Sequence, residues 1–207
     1  MSFLEEINRC LNNNSNEDAL MSDSTPSFLI DSGCRDLPMY ISAHHVRSIL
    51  SDFDDAHSKH GLSSELLEKV PEAMKHPVYV IDSDSCHDSI VMVLDLYDEM
   101  NQPLMVAVRL NGFEYINGKK IDVNFVKSVY GKRPNGVMGT LSRATKDGRV
   151  LYINKQKFYA MQSHFVTTFA IKQLSKYKTC HSYQSVNAQN AVTNREMYAL
   201  RYMHYAG

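Results

Sequence analysis

The chain has 207 residues, of which 43% are hydrophobic, and its formal net charge is −1. This composition predicts a globular protein with a buried core. It contains no apolar run of the roughly 18 residues that a membrane-spanning helix needs. The N-terminus, "MSFLEEINRC", lacks the basic and apolar regions of a secretory signal, so we expect neither a membrane association nor a cleaved leader.

The charges are distributed unevenly. Residues 1–118 carry 20 acidic and 7 basic side chains, whereas residues 119–207 carry 3 acidic and 15 basic side chains. Two interpretations stay open. The two halves neutralise each other by packing together, or the second half binds a polyanion while the first half keeps the protein in solution.

The first 77 residues predict helices. Residues 1–36 are rich in Asn, Ser and Asp and predict a short helix followed by a poorly ordered arm. Apolar residues at helical spacing predict a helix over residues 37–61, which Gly61 ends. A second helix is expected over residues 62–77, interrupted by Pro71 and ended by Pro77.

From residue 78 onward, the apolar residues follow the spacing of extended strands rather than that of helices. The segments 78–82, 89–98 and 104–111 predict an antiparallel meander, and Asn117-Gly118 indicates a hairpin. A strand over 125–131, a short helix within 133–148 and a strand over 149–155 complete the sheet. The fold class is therefore α+β, with N-terminal helices packed on an antiparallel sheet of four or more strands. We divide the chain into a polar N-terminal arm (1–36), an α+β domain (37–158) and a C-terminal extension of unknown role (159–207).

Neither a metal nor another cofactor is expected. The cysteines are scattered without a CxxC pair, at Cys10, Cys34, Cys86 and Cys180. Histidines cluster around the first long helix, but no HExxH pattern is present, and a polar helix surface explains most of them. His60 differs because it precedes Gly61 at a helix end, where an imidazole could serve as acid or base.

The basic segment from Lys119 to Lys157 carries the candidate site. In "KSVYGKR" (127–133), alternation places Ser128, Tyr130 and Lys132 on one strand face, together with Val126. In "LYINKQK" (151–157), Tyr152 and Asn154 share one face, and Lys155 and Lys157 the other.

If these two strands are neighbours, Ser128, Tyr130, Lys132 and Tyr152 converge. The expected rim of this concavity is Arg133, Thr140, Ser142 and Arg143. Metal-free phosphodiester cleavage needs a proton acceptor, a proton donor and a cation, which this set supplies. A solvated sheet face with alternating polar residues is the alternative.

The order of four segments resembles the C-terminal domain of phage MuF-type head proteins. The segments are "HGLSSELLEKVPEAMKHPVYVIDS", "SIVMVLDLYDEMNQPLMVAVRLN", "IDVNFVKSVYGK" and "GRVLYINKQK". The resemblance covers about residues 57–158. That group is assigned to compact, mostly metal-independent ribonucleases of the barnase–EndoU–colicin–RelE superfamily, which implies helices on a four-stranded antiparallel sheet and RNA as the substrate.

The resemblance implies a role for individual residues. Lys132 binds the phosphate, supported by Arg133 or Arg143, and either His60 or Tyr152 is the acid or base. The matching positions also include Ser128, Tyr130, Lys155 and Lys157. The implied reaction is attack of a ribose 2′-hydroxyl on the adjacent phosphate to give a cyclic phosphate.

Three functions stay open at this point. The first is a phage- or toxin-associated ribonuclease, acting in the host cytoplasm or carried with the virion. The second is a non-catalytic relative that binds nucleic acid through the same face. The third is a phage-encoded inhibitor or interaction protein whose partner is a host or immunity protein.

Overall fold

The computed structural model describes residues 2–12, 16–52, 60–86, 88–116 and 118–164. Its strands are β1 (Ala19–Ser22), β2 (Met39–Ile41), β3 (Tyr79–Asp82), β4 (Ser89–Tyr97), β5 (Pro103–Ile116), β6 (Lys119–Gly131) and β7 (Val150–Ile153). Its helices are α1 (Phe3–Asn12), α2 (Ser27–Asp31), α3 (Ala43–Leu50), α4 (Ser64–Glu68), α5 (Val70–Met74), α6 (Pro134–Lys146) and α7 (Lys155–His164). None of the helices in these ranges is long and apolar enough to cross a membrane.

All seven strands belong to one sheet, in the order β1-β2-β6-β5-β4-β3-β7. The predicted α+β class is confirmed, and the central strands β3 to β6 form the expected antiparallel meander. The expectation of a purely antiparallel sheet is wrong in one place, because β2 pairs with β6 in parallel.

Helices cover both faces of the sheet. The larger core joins the sheet to α1–α5, and a second core joins the other face to α6 and α7. Strand β4 shows why its sequence is continuously apolar: Ile90, Met92 and Leu94 enter the larger core, and Val93 enters the second. A strand whose two faces are both buried carries consecutive apolar residues instead of alternating apolar and polar ones.

The expected short N-terminal helix is present as α1, but the described residues that follow it are not a poorly ordered arm. The described part of residues 1–36 contains α1, β1 and α2, and its apolar side chains, such as Ile7, Ala19 and Leu29, lie in the larger core. The polar composition hid β1 and α2 because the buried residues are widely spaced. The boundaries of the three predicted segments stay predictions.

Other elements agree with the sequence more closely. Pro71 lies in the first turn of α5 and separates it from α4. Residues 37–61 were expected to be one helix, but they begin with β2, and Ser42 then caps α3 by accepting a hydrogen bond from His45 N. The predicted hairpin joins β5 to β6, where Gly118 has φ +75°. Asn117 and residues 165–207 lie outside the described residues.

A buried polar pair fixes the N-terminal segment to the sheet. Asn124 Nδ2 of β6 donates to Thr25 Oγ1 at 2.7 Å, and both residues are buried. Thr25 also bonds the backbone of Arg35 and Leu37, while Asn124 N donates to Pro38 O at 2.9 Å. Asn124 Oδ1 accepts from Asn111 N, at the point where β5 bulges. One side chain therefore ties the segment leading into β2 to the bulge in β5.

We predict that Asn124→Ala lowers the free energy of unfolding by about 1–3 kcal/mol, because buried partners lose their hydrogen bonds. Urea unfolding followed by circular dichroism measures this. The exposed Asn12 is the control, and Asn12→Ala should change the same quantity by less than about 0.5 kcal/mol. Equal effects of the two substitutions would show that the buried pair does not stabilise the fold.

Candidate functional site

The two basic strands of the sequence prediction are not neighbours. β6 lies near one edge of the sheet and β7 forms the other edge, with β5, β4 and β3 between them. Four strand spacings amount to roughly 19 Å. Tyr152 instead packs against the larger core, with its ring centroid 5.1 Å from that of Phe28. The expected convergence of Tyr152 with Ser128, Tyr130 and Lys132 is therefore wrong.

A β-bulge changes the faces of β6. Ser128 pairs with Ala107 and Val126 pairs with Val108, so Lys127 is an extra residue between them. Val126 and Val129 consequently both enter the larger core, while Tyr130 packs on the second core. Regular pairing beyond the bulge places Ser128 and Tyr130 on one face, as predicted, but Val126 lies on the opposite face and Lys132 lies beyond the end of β6.

His60 contacts the same part of β6. Its ring centroid lies 5.4 Å from that of Tyr130, and the two planes are tilted by 31°. Strand β2 pairs only with residues 124–126. Within the described chain, residues 127–131 therefore form a sheet edge on this side, and His60 lies beside it. Burial raises the pKa of Tyr130, so its phenol stays protonated at neutral pH.

His45 is the second imidazole at this edge. Its Nδ1 lies 2.9 Å from Ser42 Oγ, which holds the ring at the start of α3. Burial lowers the pKa of His45, and the positive charges of Lys127, His44 and His60 lower it further. The ring is consequently biased toward its neutral form. We refer to His45, His60, Lys127, Ser128 and Tyr130 as the edge cluster.

Lys132 follows the edge cluster along the chain. An added Cβ at Gly136 would lie 2.9 Å from Lys132 Cε, so the lysine stem runs along the start of α6. Gly131, between Tyr130 and Lys132, leaves room for the Asp98 carboxylate, which an added Cβ would strike. Asp98 cannot easily move away, because its Oδ1 accepts a hydrogen bond from Gln102 N. Glycine in "SVYGK" thus lets the 98–102 turn pack against the strand end.

The remaining predicted site residues lie along α6 and α7. Arg133 caps α6, Thr140 Oγ1 donates to Gly136 O, and Arg143 lies in the last turn. Lys155 and Lys157 belong to α7 rather than to a strand, so the predicted strand face for them is wrong. Lys157 Nζ donates to His76 O at 2.7 Å. Both lysines follow β7, at the sheet edge opposite the edge cluster.

Sequence reasoning missed two members of the edge cluster. His45 was assigned to a polar helix surface, and Lys127 was not given a role. The local signal for His45 was Ser42, whose position before "AHHV" is typical of an N-cap that starts a helix there. That signal places the helix start but does not reveal that β6 lies beside it.

The described residues contain no group of three or more His, Cys, Asp or Glu side chains placed to hold a metal ion. Cys10, Cys34 and Cys86 are free thiols. Burial raises the pKa of Cys34 to about 11, so this thiol is unreactive at neutral pH.

The fold and the edge cluster define an α+β domain whose sheet edge gathers histidine, tyrosine and lysine. Residues 52–160, more than half of the chain, match the family described as the phage MuF-C-terminal domain. The chain belongs to this family and is therefore a phage-associated domain. The match includes His60 and β6 but begins after His45. No curated protein and no solved structure matches the chain.

We predict that acid weakens the fold through His45. The folded-state pKa of His45 is lowered, so the unfolded chain binds the proton first. The contribution of neutral His45 is fully present above its unfolded pKa of about 6.5 and is lost as the pH falls through the folded pKa. Between about pH 7.5 and about pH 5, wild type should lose more unfolding free energy than His45→Gln. Parallel pH profiles of the two proteins would contradict this.

Proposed function

We propose that this domain is a metal-independent ribonuclease, toxin-like in its action on host RNA. The contact between His60 and Tyr130 supports the proposal most directly, because it places an imidazole beside a protonated phenol. His45 and Lys127 interact electrostatically at the same edge. A proton acceptor, a proton donor and a cation are the groups that in-line attack on a phosphodiester requires.

Each group receives a role in the proposed reaction. His60 takes the proton from the ribose 2′-hydroxyl, whose oxygen attacks the phosphorus. The bond between phosphorus and the 5′-oxygen breaks, and Tyr130 donates its phenolic proton to that oxygen. The products are a 2′,3′-cyclic phosphate and a free 5′-hydroxyl. Water then returns a proton from His60 to Tyr130.

Cations stabilise the negative charge that develops on the phosphate oxygens. Lys127 lies within the edge cluster, and Lys132 follows the end of β6, two residues after Tyr130. Ser128 shares a strand face with Tyr130 and can donate a hydrogen bond. RNA is the substrate because its 2′-hydroxyl is the nucleophile.

We predict that the protein cleaves single-stranded RNA in EDTA and leaves cyclic phosphate ends. His60→Ala and Tyr130→Phe should each slow cleavage by roughly 100-fold or more, because each removes a proton-transfer group. Lys132→Ala should also slow it, by about tenfold or more, through lost charge on the transition state. Gel electrophoresis of labelled RNA measures the rates.

Matched variants separate chemistry from folding. Tyr152→Phe removes a phenolic oxygen four strands away, and His76→Ala removes an exposed imidazole; both should cleave at the wild-type rate. Binding without cleavage in EDTA would instead identify a non-catalytic nucleic-acid-binding relative. If RNA is neither cleaved nor bound, both nucleic-acid functions fail, and recovery of a protein partner becomes the decisive experiment.

A further inference from the structure

The β5–β6 hairpin extends past its neighbouring strands. β4 pairs with β5 only as far as Arg109, and β2 pairs with β6 only from Asn124. In the described chain, residues 112–116 and 118–123 therefore form a two-stranded arm, which we call the hairpin arm. At about 3.4 Å per residue, each strand of it is roughly 17–20 Å long.

The bulge in β5 determines which side chains share a face of the hairpin arm. Two residues of β5, Leu110 and Asn111, stand opposite Asn124 alone. The alternation of side chains between the two faces therefore shifts by one residue, so Glu114 rather than Phe113 shares the face of Arg109. Glu114 Oε1 forms a salt bridge with Arg109 Nη2 at 3.4 Å. Phe113 and Tyr115 point to the opposite face.

The aromatic pair of the hairpin arm is unusually exposed. Phe113 is 48% exposed and Tyr115 is 68% exposed, with ring centroids 6.2 Å apart and nearly perpendicular planes. Lys120 Nζ lies 4.0 Å from the Phe113 ring centroid, and Lys120 pairs directly with Tyr115 across the strands. This contact holds the Phe113 ring in place while one side of the pair stays accessible.

The charged residues around the aromatic pair indicate which class of ligand it binds. Both acidic residues of the hairpin arm are paired with arginines: Asp122 with Arg35 at 2.6 Å, and Glu114 with Arg109. Lys119 and Lys120 are exposed, and neither is a salt-bridge partner of these acids. Lys120 lies on the face of the two rings, whereas Lys119 pairs with Ile116 and lies on the opposite face. Exposed rings beside lysine side chains are the combination that binds single-stranded nucleic acid, where bases stack and phosphates meet cations.

We propose that the hairpin arm is a binding platform for single-stranded RNA, separate from the edge cluster. Phe113 and Tyr115 stack on unpaired bases, and Lys120, on the same face, contacts an adjacent phosphate. The identity of the ligand as RNA rests on the proposed function. Tyr115 and Tyr130 lie on different strands, and residue 120, opposite Tyr115, is ten residues from Tyr130 along β6. The platform therefore holds RNA roughly 30 Å from the reacting phosphate.

The test measures binding without cleavage. A fluorescent single-stranded RNA with 2′-O-methyl groups cannot supply the nucleophile, so fluorescence anisotropy reports the equilibrium affinity of the full chain. Phe113→Ala/Tyr115→Ala should weaken binding by roughly tenfold or more. Lys120→Gln should reduce the salt dependence of log K by about 0.7, the contribution of one single-strand phosphate contact, whereas Lys119→Gln on the opposite face should reduce it less. Tyr159→Ala, which removes an exposed aromatic ring from α7, should bind as wild type.

Two outcomes would contradict the binding platform. The first is an affinity of the double aromatic variant within twofold of wild type, and the second is an equal loss of affinity in Tyr159→Ala.

Cleavage of an unmodified dinucleotide separates this inference from the proposed function. The hairpin-arm variants should cleave the dinucleotide at the wild-type rate, since it is too short to reach the platform. Binding that depends on Phe113 and Tyr115 in a protein that cleaves nothing supports the platform and refutes the ribonuclease; cleavage with unchanged binding in the variants does the reverse.

Discussion

The hydrogen bond between Asn124 and Thr25 is the constraint on which the arrangement of this protein depends. A buried carboxamide must satisfy its donors and acceptors inside the protein, and Asn124 does so with Thr25 and with Asn111 of the β5 bulge. Thr25 lies 99 residues from Asn124 in the chain, whereas Asn111 lies on the neighbouring strand of the same hairpin. These hydrogen bonds fix the N-terminal segment beside β6 and hold the extra residue of β5 opposite Asn124.

The edge cluster and the hairpin arm both follow from this constraint. On one side of Asn124, β2 pairs with residues 124–126 and stops, so Ser42 begins α3 beside the bulge at Lys127. This brings His45 to the edge where His60 contacts Tyr130. On the other side, the β5 bulge reverses the alternation and points Phe113 and Tyr115 away from Arg109. One buried side chain thus lies between a candidate reaction centre on β6 and a candidate binding platform on the β5–β6 hairpin.

The physical properties of the edge cluster depend on partial burial. Tyr130 is buried enough to raise its pKa, and His45 is buried enough to lower its pKa, although both side chains stay partly accessible. A fully buried pair could not meet a substrate, and a fully exposed pair would keep ordinary pKa values. The edge of β6 beyond residue 126, where β2 no longer pairs, provides this intermediate environment, because both side chains are only partly buried there.

The sequence by itself determined the local structure: the strands of the meander, the hairpin at Gly118, the division at Pro71 and the shared face of Ser128 and Tyr130. These features depend on periodicity and turn chemistry within a few residues. Tertiary structure decided the rest. It placed β7 four strands from β6, separated Tyr152 from Tyr130 and added His45 and Lys127 to the site. Strand order and bulges depend on which distant residues satisfy the buried hydrogen bonds. Such long-range pairing cannot be recognised from the local spacing of apolar and polar residues.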